Sequence, residues 1–153
     1  MNKYTLLSIL ESYLKEIVDI YDIRNLPKGV TNLDIKTENR LKFFVDFIYK
    51  DTPYSIFITN LKYNYPTVLF GNREEGGRLN ATELLNVPES KVVLSVVFSL
   101  LKYWLEKYKI PKFCYEANGD VKQSLYRKYM EKHFKNYELT DTELTNLFIW
   151  TRI

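Results

Sequence analysis

The sequence has little of what disulfides and metal sites require. Its 153 residues include a single cysteine, Cys114, and a single histidine, His133. One cysteine excludes an internal disulfide, and these two side chains alone cannot supply the nitrogen and sulfur ligands of a structural zinc site. We therefore predict no metal site, and the composition fits the reducing cytoplasm.

Glycine and proline are also scarce, with 5 residues of each, and long apolar runs are missing. No window approaches the roughly 18 uninterrupted apolar residues that a membrane helix needs. The first twenty residues carry acids and lysines among their apolar positions, which is typical of an amphipathic helix and not of a signal peptide. We expect one cytoplasmic domain over residues 1–153 with no membrane contact.

Several enzyme signatures are absent as well. The chain has no Walker phosphate loop, no dinucleotide-binding glycine pattern, no HExxH and no GxSxG. The sequence therefore gives no motif evidence for the common hydrolases and nucleotide-binding enzymes that these patterns define.

Tyrosine and local positive charge are abundant. The 13 tyrosines predict rings at the surface or at boundaries, as in an interaction surface, although an AT-rich genome explains the same composition. Between Lys102 and Lys135 lie nine lysines or arginines against four acids. This segment favours an anionic partner such as a phosphorylated cofactor or nucleic acid, or it forms a solvated lysine-rich face.

Hydrophobic periodicity and turn residues predict a succession of helices and strands. A polar loop over 71–86 precedes a helix that Asn86 can cap and whose apolar positions cover well over half its circumference, so this helix should be central. The predicted elements are a helix over 3–21, strands over 33–49 (bent near Glu38), 53–62 and 66–73, the central helix to about 109, a strand over 110–117, a helix over 121–134 and a closing strand from 143.

This order predicts an α+β sandwich. The short connections between the early strands imply an antiparallel meander. We expect a mixed, mostly antiparallel sheet with helices on both faces, in the order α-β-β-β-α-β-α-β.

The segment "VVLSVVFSLLKYWLEKYKIPKFCYEANGDVKQSLYRKYMEKHF", residues 92–134, resembles the core of the GCN5-related N-acetyltransferases (GNAT), and in particular small phage-encoded GNAT-like proteins. The resemblance extends in element order over about residues 40–153. It implies a GNAT-like fold, acetyl-CoA as cofactor and, for a phage protein, the host cytoplasm as location.

In that family the fourth strand and the helix after it splay from the fifth strand to admit acetyl-CoA, and the first turn of that helix binds pyrophosphate. By position, the strand role would fall on Leu69 and Phe70. The family's loop is Q/R-x-x-G-x-G/A, whereas this chain has "NVPESK", in which a proline removes an amide donor and a glutamate stands at the anion's place. The resemblance assigns the turn to Asn86, Val87, Glu89, Ser90 and Lys91.

The resemblance also implies that a tyrosine in the next helix protonates the leaving thiolate, and this role would fall on Tyr126. Tyr126 also lies on the apolar arc of its helix, where a packed ring is expected. Asp46 and Glu116 are candidate general bases, although exposure at a strand edge explains both. We expect His133 to be packed and Cys114 to be an inert core thiol.

Three functions remain open from the sequence. The first is an acyl-CoA-dependent N-acyltransferase that transfers an acetyl group to an amine. The second is a non-catalytic GNAT-like phage protein that binds a protein partner of the virion or host, or that self-associates as a homo-oligomer. The third is a nucleic-acid binder that uses the basic segment 102–135 with its interleaved tyrosines.

Overall fold

The computed structural model describes residues 26–60, 64–73, 79–80, 90–117, 120–141 and 146–153. The helix predicted over 3–21 and the predicted cap at Asn86 lie outside these residues. The description below concerns the described ranges.

Two helices and eight strands follow one another along these ranges. They are β1 (Val30–Glu38), β2 (Lys42–Tyr49), β3 (Thr52–Thr59), β4 (Thr67–Arg73), β5 (Leu79–Asn80), α1 (Ser90–Tyr108), β6 (Lys112–Glu116), α2 (Asp120–His133), β7 (Tyr137–Asp141) and β8 (Leu147–Arg152).

The strands form one mixed sheet in the order β1-β2-β3-β4-β6-β8-β7, and the two-residue strand β5 pairs with the end of β4. Strands β4 and β6 pair in parallel, and the other neighbours pair antiparallel. The prediction of an α+β protein with a mixed, mostly antiparallel sheet is therefore confirmed.

The single bent strand predicted over 33–49 is wrong, because the chain reverses there and forms the hairpin β1-β2. The side chain of Asn39 accepts hydrogen bonds from the backbone N–H groups of Leu41 and Lys42, at 2.8 and 3.0 Å. An asparagine side chain that bonds the backbone two residues on closes a turn. The bend expected near Glu38 is in fact the turn between two strands.

The closing strand predicted from 143 corresponds to β8, and β7 before it is an additional strand that the sequence pattern does not predict. Strand β7 pairs antiparallel with β8, with Tyr137 opposite Arg152 and Leu139 opposite Trp150. Its residues 137–140 alternate between buried or half-buried and exposed positions as an edge strand does, and this pattern is too short to be distinguished from a loop by periodicity alone.

Both described helices pack on the same face of the sheet, which we call the helix face. On β2 this face carries Phe43, Val45 and Phe47, which are fully buried in one cluster with the apolar residues of α1 and α2. The alternate side chains of each strand point to the other face. The two-sided arrangement of helices depends on the segment 3–21 and stays a prediction.

Helix α1 is central, as its apolar circumference predicts. Most apolar residues of this helix are almost fully inaccessible, and so are the polar residues Ser95 and Ser99. Ser95 satisfies its hydroxyl by donating to the carbonyl of Lys91, at 3.0 Å. No helix in the described ranges has the length and apolar character needed to cross a membrane.

Candidate functional site

Strands β4 and β6 are held together over a very short length. Their register contains two residue pairs, Thr67 with Cys114 and Val68 with Tyr115, and the Cys114 N–H also donates to the carbonyl of Pro66, at 2.9 Å. Strand β4 then continues for five more residues, through Arg73, in contact with β3 on its other side. Within the described residues the two backbones part beyond Val68, and we call this opening the β4–β6 gap.

The far side of the gap is set by the end of β6. The N–H of Ala117 donates to the carbonyl of Asn146, at 2.9 Å, so the chain continues alongside β8 at this point. Helix α2 begins at Asp120, directly after this point. The end of β4 instead pairs with β5, through Asn72 and Arg73.

Tyr126 of α2 lies on the helix face at the gap. Its ring centroid is 5.6 Å from that of Phe70 on β4, 5.9 Å from Tyr115 on β6 and 5.9 Å from Phe98 on α1. Only 3% of its surface is accessible. Tyr126 therefore joins the two diverging strands to both helices as a packed aromatic side chain.

A wider set of rings surrounds it. Phe98 stacks on Tyr129 with centroids 4.4 Å apart and planes within 3°, and Tyr115 stacks on Phe148 at 5.6 Å. Burial raises the pKa of the Tyr115 phenol well above its ordinary value, which keeps it neutral. Of these rings only Tyr126 and Phe70 are candidates from the sequence, although the alternation in "KFCYE" places Tyr115 on the face of Phe113.

The candidate bases lie on the sheet face opposite Tyr126. Asp46 alternates with the buried Val45 and Phe47, and Glu116 alternates with Tyr115. Since β2, β3, β4 and β6 are successive neighbours about 4.8 Å apart, strands β2 and β6 are separated by about 14 Å. The fold thus does not bring Asp46, Glu116 and Tyr126 into one cluster.

Asp46 is engaged in a polar network of its own. Its carboxylate accepts from the Ser55 hydroxyl at 2.5 Å and pairs with the Arg73 guanidinium at 3.4 Å, and 13% of its side chain is exposed. It lines a pocket of about 370 Å³ with Asp34 and Lys36, which form an ion pair of 2.7 Å. Glu116, by contrast, is exposed at the end of β6, beside the gap.

The candidate cofactor residues divide between the two faces of β4 and the start of α1. Leu69 is 37% exposed on the face away from the helices, and Phe70 packs against Tyr126. Ser90 is the first residue of α1, and Lys91 is half-buried. Asn86, Val87 and Glu89 lie outside the described residues.

The two remaining reactive side chains are packed. Cys114 is fully buried, its Sγ lies 3.3 Å from the Thr67 hydroxyl, and burial raises the pKa of its thiol. The His133 ring centroid is 6.4 Å from that of Tyr129. Within the described ranges, no three histidine, cysteine or acidic side chains gather as metal ligands would.

The basic segment 102–135 is partly neutralised by its neighbours. Lys107 pairs with Glu38 at 2.5 Å, Arg127 pairs with Glu131 at 3.0 Å, and the Lys112 ammonium lies 4.7 Å from the centre of the Tyr65 ring. Two of these cations are paired with a carboxylate, and Lys112 packs against an aromatic ring.

A polar anchor that the sequence reasoning missed fixes the β1-β2 hairpin to α1. Glu38 accepts hydrogen bonds from the hydroxyls of Tyr103 and Tyr108, at 2.9 and 2.8 Å, and pairs with Lys107. Burial alone would raise the pKa of Glu38, but these three donors outweigh burial and lower it. In the next residue, the Asn39 carbonyl accepts from the indole N–H of Trp104 at 2.8 Å.

Comparison of the chain with models of protein families and with curated proteins found no match. The function must therefore be argued from this geometry.

Proposed function

We propose that the protein is an acyl-CoA-dependent N-acyltransferase with a GNAT-like fold, in which the β4–β6 gap receives the acyl thioester. The observation that carries the proposal is the parallel pairing of β4 with β6. The chain connects these strands through α1, and they pair over only two residue pairs. A splay of the fourth strand from the fifth is what the resemblance implies for a cofactor site, and here β6 stands in the fifth strand's place because β5 has only two residues. The strand order on either side of the gap supports the same interpretation.

The gap has the chemistry to hold an amide-containing chain such as the pantetheine arm of coenzyme A. Beyond Val68, β6 takes no hydrogen bonds from Leu69, Phe70 or Gly71 in the described structure. Backbone N–H and C=O groups along such an edge can bond an extended ligand in the manner of an added strand.

In the proposed reaction the acceptor amine attacks the thioester carbonyl, the carbon–sulfur bond breaks, and an amide and a thiolate form. In this proposal Tyr126, whose ring lies at the gap, donates its hydroxyl proton to that thiolate. The amine loses its proton to water or to a carboxylate, and Glu116 is closer to the gap than Asp46, since it ends β6. A cofactor would have to displace part of the ring packing between Phe70 and Tyr126.

The test is a melting curve with and without acetyl-CoA. A ligand present at a hundred times its dissociation constant adds about 2.7 kcal/mol to the free energy of unfolding, which is about 5–10 °C for a chain of this length. Tyr126→Phe keeps the ring, so it should retain the shift in melting temperature and lose acetyl transfer to a panel of amines. ATP serves as a control anion that lacks the thioester arm.

A second candidate is a non-catalytic GNAT-like module that binds a protein partner. The near-complete burial of Tyr126 among Phe70, Phe98 and Tyr115 favours it, because a filled gap has no room for a cofactor. If acetyl-CoA leaves the melting temperature unchanged, the acyltransferase proposal fails and this candidate replaces it.

A further inference from the structure

A second pocket lies at the other end of β4, on the near side of the two residue pairs that join β4 to β6. Its volume is about 510 Å³, which is within the range of small-molecule sites. Four chain segments distant in sequence meet there. Its lining includes Arg40, Leu41, Tyr65, Pro66, Lys112 and Thr151.

The charges of this lining have one sign. Among the described lining residues, the charged ones are Arg40 and Lys112, both cationic, and Asn60, Asn64 and Thr151 add neutral polar groups. The Lys112 ammonium is held over the Tyr65 ring. The pocket therefore favours an anion, since an opposite charge held between two cations gains both attraction and hydrogen bonds.

The walls of the pocket are held in place by hydrogen bonds to backbone carbonyl groups. On one side, the Arg40 guanidinium donates to the Tyr108 carbonyl, and the adjacent Asn39 carbonyl is bonded to Trp104. Four of the five donors of a guanidinium remain after one such bond. Arg40 can thus hold its position and still bind a ligand.

The opposite wall is anchored equally well. The Ile110 carbonyl accepts from the Tyr137 hydroxyl at 2.5 Å, and the Pro111 carbonyl accepts from the N–H of Arg152 at 2.8 Å. A pocket whose walls are held in this way loses little conformational freedom when a ligand binds.

Leu41 indicates that the ligand has an apolar part. It is 66% exposed at the tip of a turn that Asn39 locks in place, directly beside Arg40. An exposed leucine on a rigid turn gains free energy when an apolar surface covers it. Pro66 and Pro111 supply apolar surface in the same lining.

We infer that this pocket, between the β1-β2 turn and the start of β6, binds a small organic anion: a carboxylate or phosphate group on a flat apolar body. The anionic group lies between Arg40 and Lys112, and the apolar body lies against Leu41 and Tyr65. The site is separate from the β4–β6 gap, so it does not depend on acyl transfer.

The experiment titrates the labelled full chain with naphthoate, AMP and neutral naphthamide, and follows the backbone amide signals of Leu41, Lys112 and Thr151 by NMR. We expect saturable shifts with at least one of the two anions, with a dissociation constant of about 1 mM or tighter, and much weaker binding of naphthamide. Response to naphthoate alone assigns a carboxylate ligand, and response to AMP alone assigns a phosphate. No saturable shift with either anion, or equal binding of the neutral amide, overturns the inference.

Substitutions in the pocket test separately how the anionic and the apolar parts of the ligand are recognised. Arg40→Gln and Lys112→Gln should each weaken binding of the anion about tenfold, since each removes a charge-assisted contact. Leu41→Ser should weaken naphthoate binding and leave its dependence on Lys112 intact. Lys128→Gln, on the exposed side of α2, is the matched control and should bind normally. Unchanged affinity in both charge variants, with melting temperatures near that of the parent, would show that the pocket does not recognise the charge.

Discussion

Removal of the Glu38 carboxylate should cost more stability than removal of any ordinary exposed acid. Glu38 is 15% exposed and receives two tyrosine hydroxyls and the Lys107 ammonium. A hydrogen bond to a charged group contributes roughly 1.5 kcal/mol at the lower end of its range, so the two phenols account for about 3 kcal/mol. We add nothing for Lys107, because ion pairs with an exposed partner contribute little.

The assay is urea unfolding of Glu38→Ala and Glu38→Gln, followed by far-UV circular dichroism. We expect the alanine variant to lose about 3 kcal/mol, equivalent to a melting temperature lower by about 6–12 °C, and the glutamine variant to lose about half as much, since its carbonyl can still accept a bond. Glu131→Gln is the matched control. Its carboxylate pairs with Arg127 on the surface of α2, so its loss should be below about 0.5 kcal/mol.

The pH dependence gives a second measurement. Because the donors lower the pKa of Glu38 in the folded state, its ionised form stabilises the fold fully above the unfolded pKa of about 4.3. This contribution is lost as the pH falls through the lower folded pKa. The difference in stability between the parent and Glu38→Gln should therefore be constant near neutral pH and shrink in acid. A loss in Glu38→Ala no larger than in the control, or a difference that grows in acid, refutes this account of the anchor.

Three other predictions concern the gap, the thiol and the basic segment. Tyr126→Ala should lower the free energy of unfolding in urea by about 3–5 kcal/mol, as large-to-small changes of buried rings do, whereas Tyr126→Phe should lower it by less than about 1.5 kcal/mol. Similar losses in both variants would mean that the hydroxyl, and not the ring, stabilises the site. Cys114 should react with a thiol reagent only at the rate of unfolding, because the side chain is buried and its thiol pKa is raised; rapid labelling in native conditions contradicts its place in the core. If the basic segment binds nucleic acid, retention on single-stranded DNA should fall steeply with salt and be weaker in Lys128→Gln, and retention that is insensitive to salt argues against the phosphate contacts.

The parts of the fold that the sequence predicts well are those with long or unambiguous periodicity. The burial of α1 and the alternation of β2 around Phe43 and Val45 follow from patterns that extend over many residues. At Asn39 the sequence pattern predicts only a bend, since closure of the hairpin turn depends on one side chain bonding two amides. Local pattern does not contain that information.

The candidate site is harder to predict, because it depends on contacts between distant parts of the chain. The position of Tyr126 on an apolar arc correctly indicated a packed ring, but its neighbours come from β4, α1 and β6. The Glu38 anchor joins residues about seventy positions apart, and no spacing rule connects them. Strand register alone then places Asp46 and Glu116 on the far face of the sheet.

The short backbone pairing between β4 and β6, limited to two residue pairs, also affects how the protein folds. Strands β1 to β4 form a meander of sequence-local pairs, and β6, β8 and β7 form a second group, so backbone bonding between the groups is slight. Cooperation between them must come mainly from side chains of the shared core, such as Tyr126 of α2, whose ring contacts Phe70 on β4 and Tyr115 on β6. Two folding units joined in this way should open separately in native-state hydrogen exchange, with amides of the meander and of the C-terminal group falling into distinct classes of protection.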